Sequence, residues 1–428
     1  EIYTLSLHDA LPILAARKKP ELLIPASSLD VLKTAVTYGA DAVYIGGEAF
    51  GLRAKAKNFS LEQMREGIAF AHRRGVKVYV TANIFAHNRD LDGVREYFAQ
   101  LRDLAPDAPD ALIISDPGVF LIAREVCPEM EIHISTQANN TNYSTYRFWY
   151  GQGARRVVSA RELSLEEIRQ IREQIPEDME IETFIHGSMC MAYSGRCLLS
   201  NFLTGQDANQ GACTHPCRWK YAVVEETRPG EYFPVYENER GTFLFNSKDL
   251  CMIEHIPELL SAGIDSFKIE GRMKTALYVA TVARTYRRAI DDCLQSEELY
   301  RKNMPWYKEQ IAGCTYRQFS TGFFFGKPNA EAQTYGESTY IRGYTYLGIV
   351  GARDARGLYE TEQRNKFSVG EQIEVMKPSG ENVPVTVRRI VNDAGEEMES
   401  APHPKQRLWI DLGCELDAFD ILRRKEEE

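Results

Sequence analysis

At 428 residues, with 44% hydrophobic and 26% charged residues, the chain has room for a large barrel plus an accessory module, and its balance excludes a wholly disordered protein. A formal net charge of -10 excludes a surface that binds nucleic acid broadly, because neutralising phosphates needs concentrated Lys and Arg, so any RNA contact is local. No apolar run reaches the length of about eighteen residues that a membrane helix needs, and the start lacks a secretory pattern, so no membrane partner and a cytoplasmic location are expected.

Residues 1–14, EIYTLSLHDALPIL, do not fit the rest of the chain and resemble translated adapter sequence; the plausible native start is near Ala15. From there, short runs rich in branched residues recur: ELLIPA from 21, DAVYIG from 41, KVYVTANI from 77, ALIISD from 111, EIHISTQ from 131, RRVVSA from 155, EIETFIHG from 180 and SFKIEGR from 266. These are strand candidates. The segments between them read as helices with caps, Ser60 before LEQMREGIAFAH and Gly75 after it being one pair of signals. Strand and helix in alternation predict a parallel sheet, and the count predicts an α/β fold of the (β/α)8 TIM-like barrel type over residues 15–330.

Alternation within the strands sets Ile132 and Ile134 against His133, Ser135 and Gln137, Ile181 and Ile185 against Glu182, Phe184 and His186, and Phe267 and Ile269 against Lys268 and Glu270. The helix-facing side must be apolar, so the polar parity is read as the barrel interior. Chemistry in such barrels sits at the carboxyl ends of the strands, where Asn83, Gln137, His186 and Glu270 are expected to converge.

Between the seventh and eighth strands lies an insertion, residues 188–262, too long for an ordinary loop. It holds Cys190, Cys197, Cys213, Cys217 and Cys251, five of the nine cysteines. In a reducing compartment such a group reads as ligands or catalysts. An iron-sulfur cluster, a zinc site, unliganded core thiols and a cysteine nucleophile with His186 or His215 as base all remain open on spacing alone. After the eighth strand, KTALYVATVARTYRRAIDDCL predicts a long amphipathic helix. Beyond residue 330, period-two runs such as KFSVGEQIEVM and RLWIDLG predict a small all-β domain over 331–428. Local basic patches are Arg155, Arg156 and Arg161; Arg218, Trp219, Lys220 and Tyr221; and Arg423, Arg424 and Lys425.

The segment ETFIHGSMCMAYSGRCLLS, from Glu182 to Ser200, resembles the signature of the collagenase-like U32 peptidase family. The resemblance extends to PELLIPASSLDVLKTAVTYGADAVYIGGEAFGLRA, DANQGACTHPCRWKY, NSKDLC and SFKIEGRMK, nearly the whole chain after residue 18. Relatives commonly carry Gly where this chain has Ser27.

What the resemblance implies is oxygen-independent formation of 5-hydroxyuridine at the tRNA wobble position, with prephenate as co-substrate and the tRNA anticodon region as partner. Related members act on ribosomal RNA cytidine, or on ubiquinone precursors with a four-iron cluster. Carried onto this sequence, the 4Fe-4S ligands are Cys190, Cys197, Cys213 and Cys251, with Cys217 as the alternate fourth. Arg53, Lys268 and Arg272 are the candidates for binding the dicarboxylate. Gln137, Asn83 and His186 would orient the base or donor, and Glu270 would relay protons. The rival readings are a peptidase, for which no HExxH or GxSxG motif is present, and a non-catalytic RNA-binding protein with a structural metal.

Overall fold

A computed structural model describes residues 19–48, 58–190, 192–219, 248–314, 318–326 and 343–426, with short strand pairs at 223–224, 232–233, 237–238 and 241–242. Seven parallel strands follow one another: β1 (Glu21–Pro25), β2 (Ala42–Gly46), β3 (Lys77–Ala82), β4 (Ala111–Ile114), β5 (Glu131–Ile134), β6 (Arg156–Val158) and β7 (Glu180–Gly187). After β8 (Asp249–Cys251), strand β9 (Ser266–Ile269) pairs in parallel with both β7 and β1 and closes the ring. The eight-stranded barrel is therefore complete, as the strand count predicts. β8 is not part of the ring; it lies antiparallel along the end of β7, with Cys251 opposite His186.

Local chemistry sets the helix ends. Helix α1 (Leu29–Thr37) is capped by the Ser28 side chain, and Gly39 follows it with φ 105°. Helix α2 (Leu61–His72) begins with a reciprocal Ser60–Gln63 capping box and stops before Gly75, φ 71°. Ser27, which stands where relatives carry Gly, is not in the left-handed region, so it costs the turn nothing.

The interior is polar where alternation placed it. Ile132, Ile134, Ile181, Ile185, Phe267 and Ile269 pack outward under the helices, while Leu23, Tyr44, Tyr79 and Ile113 form a separate cluster inside the ring. His133, Glu182 and Lys268 are buried with that inner set. Arg156 does not belong to a solvated basic patch: it fills the barrel floor, bonding Glu21 and Glu180 at 2.6 Å and Glu182 at 3.0 Å. Burial alone would raise the Glu21 carboxyl, but Arg156 and the Tyr79 hydroxyl hold it down at about 2.

The C-terminal domain is all-β. Its eight-stranded antiparallel half-barrel carries Tyr344–Arg353, Gln372–Met376, Arg407–Asp411 and Ile421–Lys425 among its strands, around a core that includes Leu347, Val375, Leu408 and Leu422. Arg423 and Arg424 are ion-paired to Glu374 and Glu371 there. Among the described residues no helix is long and apolar enough to cross a membrane.

Candidate active site

In a parallel barrel every strand delivers its next residue to the same rim, so side chains distant in sequence meet there. At that rim lies a cavity of about 360 Å³. Asn83 reaches it after β3, Ser135 and Gln137 after β5, Arg161 after β6, and Lys268, Glu270, Arg272 and Lys274 from β9 and the turn beyond it. The insertion supplies Cys190, Cys197, Cys213 and Cys217 to the same cavity.

The charge of the lining is one-sided. Among the described residues of the lining, Arg161, Lys268, Arg272 and Lys274 stand with one carboxylate, Glu270, in a chain whose net charge is -10. Lys268 is partly answered from behind, its ammonium 2.6 Å from the buried Glu182 carboxylate and 4.6 Å from the Tyr44 ring centre. Arg272 donates to Thr81 at 3.0 Å and to Asn58 at 3.1 Å. Such a lining favours a small anion.

The first cysteine loop is tied to the barrel. Arg161 donates to the Ser188 carbonyl at 3.2 Å and the Ser194 hydroxyl at 3.1 Å. Asn139, in the left-handed region at φ 57°, donates to the carbonyls of Gln137 and Ser194. Gly195 is required where it stands, since a Cβ would lie 2.5 Å from Phe85 and 2.6 Å from Gln137 at φ +71°. Gln137 is 2% exposed, and neither heteroatom of its amide has a hydrogen-bond partner among the described residues.

Two expected members are placed elsewhere. The pairing of β7 with β9 skips one residue: Lys268 faces Phe184, but Ile269 faces His186. That bulge puts His186 on the outward side with Ile269. There it packs on Tyr286, 5.4 Å between ring centres, with its Nδ1 3.3 Å from the Tyr286 hydroxyl. Burial drives its pKa down to about 4, so it is neutral at pH 7. Cys251 stands beside it, 3.7 Å from the same hydroxyl, and burial pushes its thiol up to about 11. Neither residue lines the cavity. Arg53, Lys220 and Tyr221 lie outside the described residues, as does the side chain of Arg218. Trp219 is half-exposed.

By donor type, four thiols on glycine-containing loops suit an iron-sulfur cluster, which takes Cys thiolates at irregular spacing. Among the described residues no three His, Cys, Asp or Glu side chains are grouped to hold a metal ion. The four thiols share the lining of one cavity without being gathered into a cage, whether for a zinc ion or for a cluster.

Sequence reasoning missed Asn139, Ser194 and Lys274, and placed Arg161 in a surface patch. For Arg161 a signal existed, since it follows β6 at the rim where such barrels work.

Residues 27–334 match Peptidase family U32, and residues 342–423 match the Peptidase family U32 C-terminal domain. The chain is 42% identical to tRNA hydroxylation protein P1 of Bacillus subtilis (strain 168) over 408 residues, covering 95% of each. It is 39% identical to tRNA hydroxylation protein P of Escherichia coli (strain K12), covering 93% of this chain and 95% of that protein. To the 23S rRNA 5-hydroxycytidine C2501 synthase of Escherichia coli (strain K12) it is 32% identical over 91% of this chain but only 56% of that protein.

Proposed function

The chain belongs to peptidase family U32, and on that footing we propose that it is a tRNA-modifying enzyme which forms 5-hydroxyuridine at the wobble position without oxygen, using prephenate and a 4Fe-4S cluster. The observation that carries this reading is the cavity shared by four cysteines and four cations. The choice of tRNA over ribosomal RNA rests on coverage: the tRNA hydroxylation proteins of Bacillus subtilis (P1) and Escherichia coli (P) are each matched over 95% of their length, the ribosomal RNA synthase over 56%.

The cations divide the work. Arg272, held by Thr81 and Asn58, and Arg161 offer planar guanidinium groups that suit carboxylates, while Lys268 adds charge at the floor. Gln137, Asn83 and Glu270 line the same space, where an amide can orient a base or donor and a carboxylate can carry a proton. His186 is buried on the far side of the bulge and is not proposed as a base. A bound cluster would supply one-electron chemistry that side chains lack. For its ligands we assign Cys190, Cys197, Cys213 and Cys217, replacing Cys251 by the thiol that lines the cavity.

Two measurements test this. Nucleosides of tRNA from a strain lacking the gene, with and without the chain restored, should differ in 5-hydroxyuridine; no difference overturns the activity. Iron and sulfide in protein purified without air should fall sharply in Cys217→Ser and stay near wild type in Cys251→Ser. The opposite pattern returns Cys251 to the ligand set.

A further inference from the structure

Arg161 stands at a junction that the proposed reaction does not by itself explain. It lines the cavity, and it also bonds the cysteine loop at two points on either side of Cys190. The loop between those points is bounded by two glycines in left-handed geometry, Gly187 at φ 111° and Gly195 at φ 71°, each pressed against the barrel: a Cβ would lie 2.5 Å from the Glu270 carbonyl oxygen at one and 2.5 Å from Phe85 at the other. Asn139 supplies a further fixed contact, to the Ser194 carbonyl.

The guanidinium is not spent on these contacts. Its two hydrogen bonds go to neutral oxygens and use two of its five N–H groups, leaving three. Its charge rests over the Phe184 ring, 5.4 Å from the centroid. The adjoining Glu162 carboxyl is pushed up by burial, and Arg161 pulls it back only in part. A cation anchored by neutral groups at the wall of a cation-rich cavity is prepared for an anion.

We infer that Arg161 is a positioning residue that reads a small carboxylate in the cavity and passes its presence to the cysteine loop. A carboxylate on the remaining N–H edge makes charge-assisted bonds that fix the guanidinium plane. A fixed plane holds Ser188 and Ser194, and with them the backbone that carries Cys190. The loop is then ordered when the anion is present and looser when it is absent. This deepens the reading of the cavity as a receptor for an anionic co-substrate and rests on it.

The test uses the full chain, purified without air, with malonate as the probe. Calorimetric titration measures binding, and hydrogen exchange of the 188–197 amides measures the loop. In the wild type malonate should bind and slow that exchange several-fold, while the amides of the C-terminal domain do not respond. Arg161→Gln should exchange faster without malonate and lose the response. Arg161→Lys should keep weakened binding yet lose most of the loop response, because an ammonium cannot span both serines. Ser194→Ala should bind malonate as wild type with a smaller loop response. Malonate binding without any change in the wild-type loop overturns the inference, as does a response that survives in Arg161→Gln or an absence of malonate binding. A loop response with no 5-hydroxyuridine formed would leave this coupling standing and remove the proposed reaction instead.

Discussion

Gly46 is set by Arg272. A Cβ at that position would lie 1.9 Å from the Arg272 Nη2 atom, and Gly46 is not in a left-handed conformation, so the strand itself tolerates alanine. The end of a flexible side chain would yield, not the backbone. Gly46→Ala should therefore change stability by less than about 1 kcal/mol in urea unfolding, yet lower the proposed tRNA hydroxylation at least about tenfold, because Arg272 leaves Thr81 and Asn58. A loss of stability with normal turnover would show that Arg272 has no part in binding. His186 carries a prediction of the opposite kind. Its folded pKa of about 4 lies below the ordinary 6.5, so between those values the unfolded chain takes up a proton that the folded chain refuses. Stability is unaffected above pH 6.5 and falls as the pH drops toward 4, by about 3 kcal/mol from this group. His186→Gln should flatten that part of the unfolding profile relative to wild type while leaving hydroxylation at pH 7 within a small factor.

At the scale of elements, the strands were legible because their composition and period are local. Ile132 against His133 and Phe267 against Lys268 give inside and outside correctly from alternation alone. His186 was not legible, because the skipped residue opposite Lys268 and Ile269 depends on a partner strand some eighty residues away. Once the bulge is present, every side chain beyond it changes face. Cys251 entered the expected ligand set through the family pattern; its short strand runs antiparallel on β7, and its thiol is not among the residues lining the cavity. Cys190, Cys197, Cys213 and Cys217 lie on the insertion that follows β7, and all four line the cavity. The floor network was also hidden, because Arg156 sits beside Arg155 in sequence and looks like half of a surface pair. In the fold Arg156 answers three carboxylates, Glu21, Glu180 and Glu182. Arg156→Met should destabilise the protein by about 3–5 kcal/mol, because buried carboxylates are left without their cation. Urea unfolding at pH 7 measures it, and a loss under about 1 kcal/mol would mean that Lys268 and solvent compensate.

For the whole molecule the question is whether barrel and C-terminal domain melt as one body. The C-terminal domain has a core of its own, so independent unfolding is possible in principle, although its Met376 and Ile421 pack into the barrel's cluster. The joint between them is specific, however. The Tyr38 hydroxyl, at the end of α1, donates to the Met376 carbonyl at 2.7 Å, and the Phe70 and Phe419 rings meet edge to face at 5.7 Å. Arg284, from the long helix Ala276–Gln295 that follows β9, donates to the Lys377 carbonyl at 2.9 Å and to Asn382 at 3.0 Å. Burial, with Arg423 nearby, lowers its pKa to about 10, still far enough above neutrality to keep it charged. Its guanidinium also donates to Gln310 of the barrel-side helix Glu297–Ala312 at 2.6 Å, so only the bonds to Lys377 and Asn382 cross the joint; these favour the docked arrangement, because in a separated domain those oxygens return to water. The wild type should accordingly unfold in one calorimetric transition, and Arg284→Ala, which removes those bonds together with the contacts to Gln310 and Trp306, should split it into two. The same helix carries Tyr286, against which His186 packs, and Tyr278, whose hydroxyl bonds the Glu270 carbonyl at the cavity. Loosening the joint should therefore reach the rim: hydroxylation by Arg284→Ala should fall more steeply with temperature than wild type, beginning at the first of its two transitions. If activity instead persists up to the second transition, the C-terminal domain is a passenger and the barrel alone performs the chemistry.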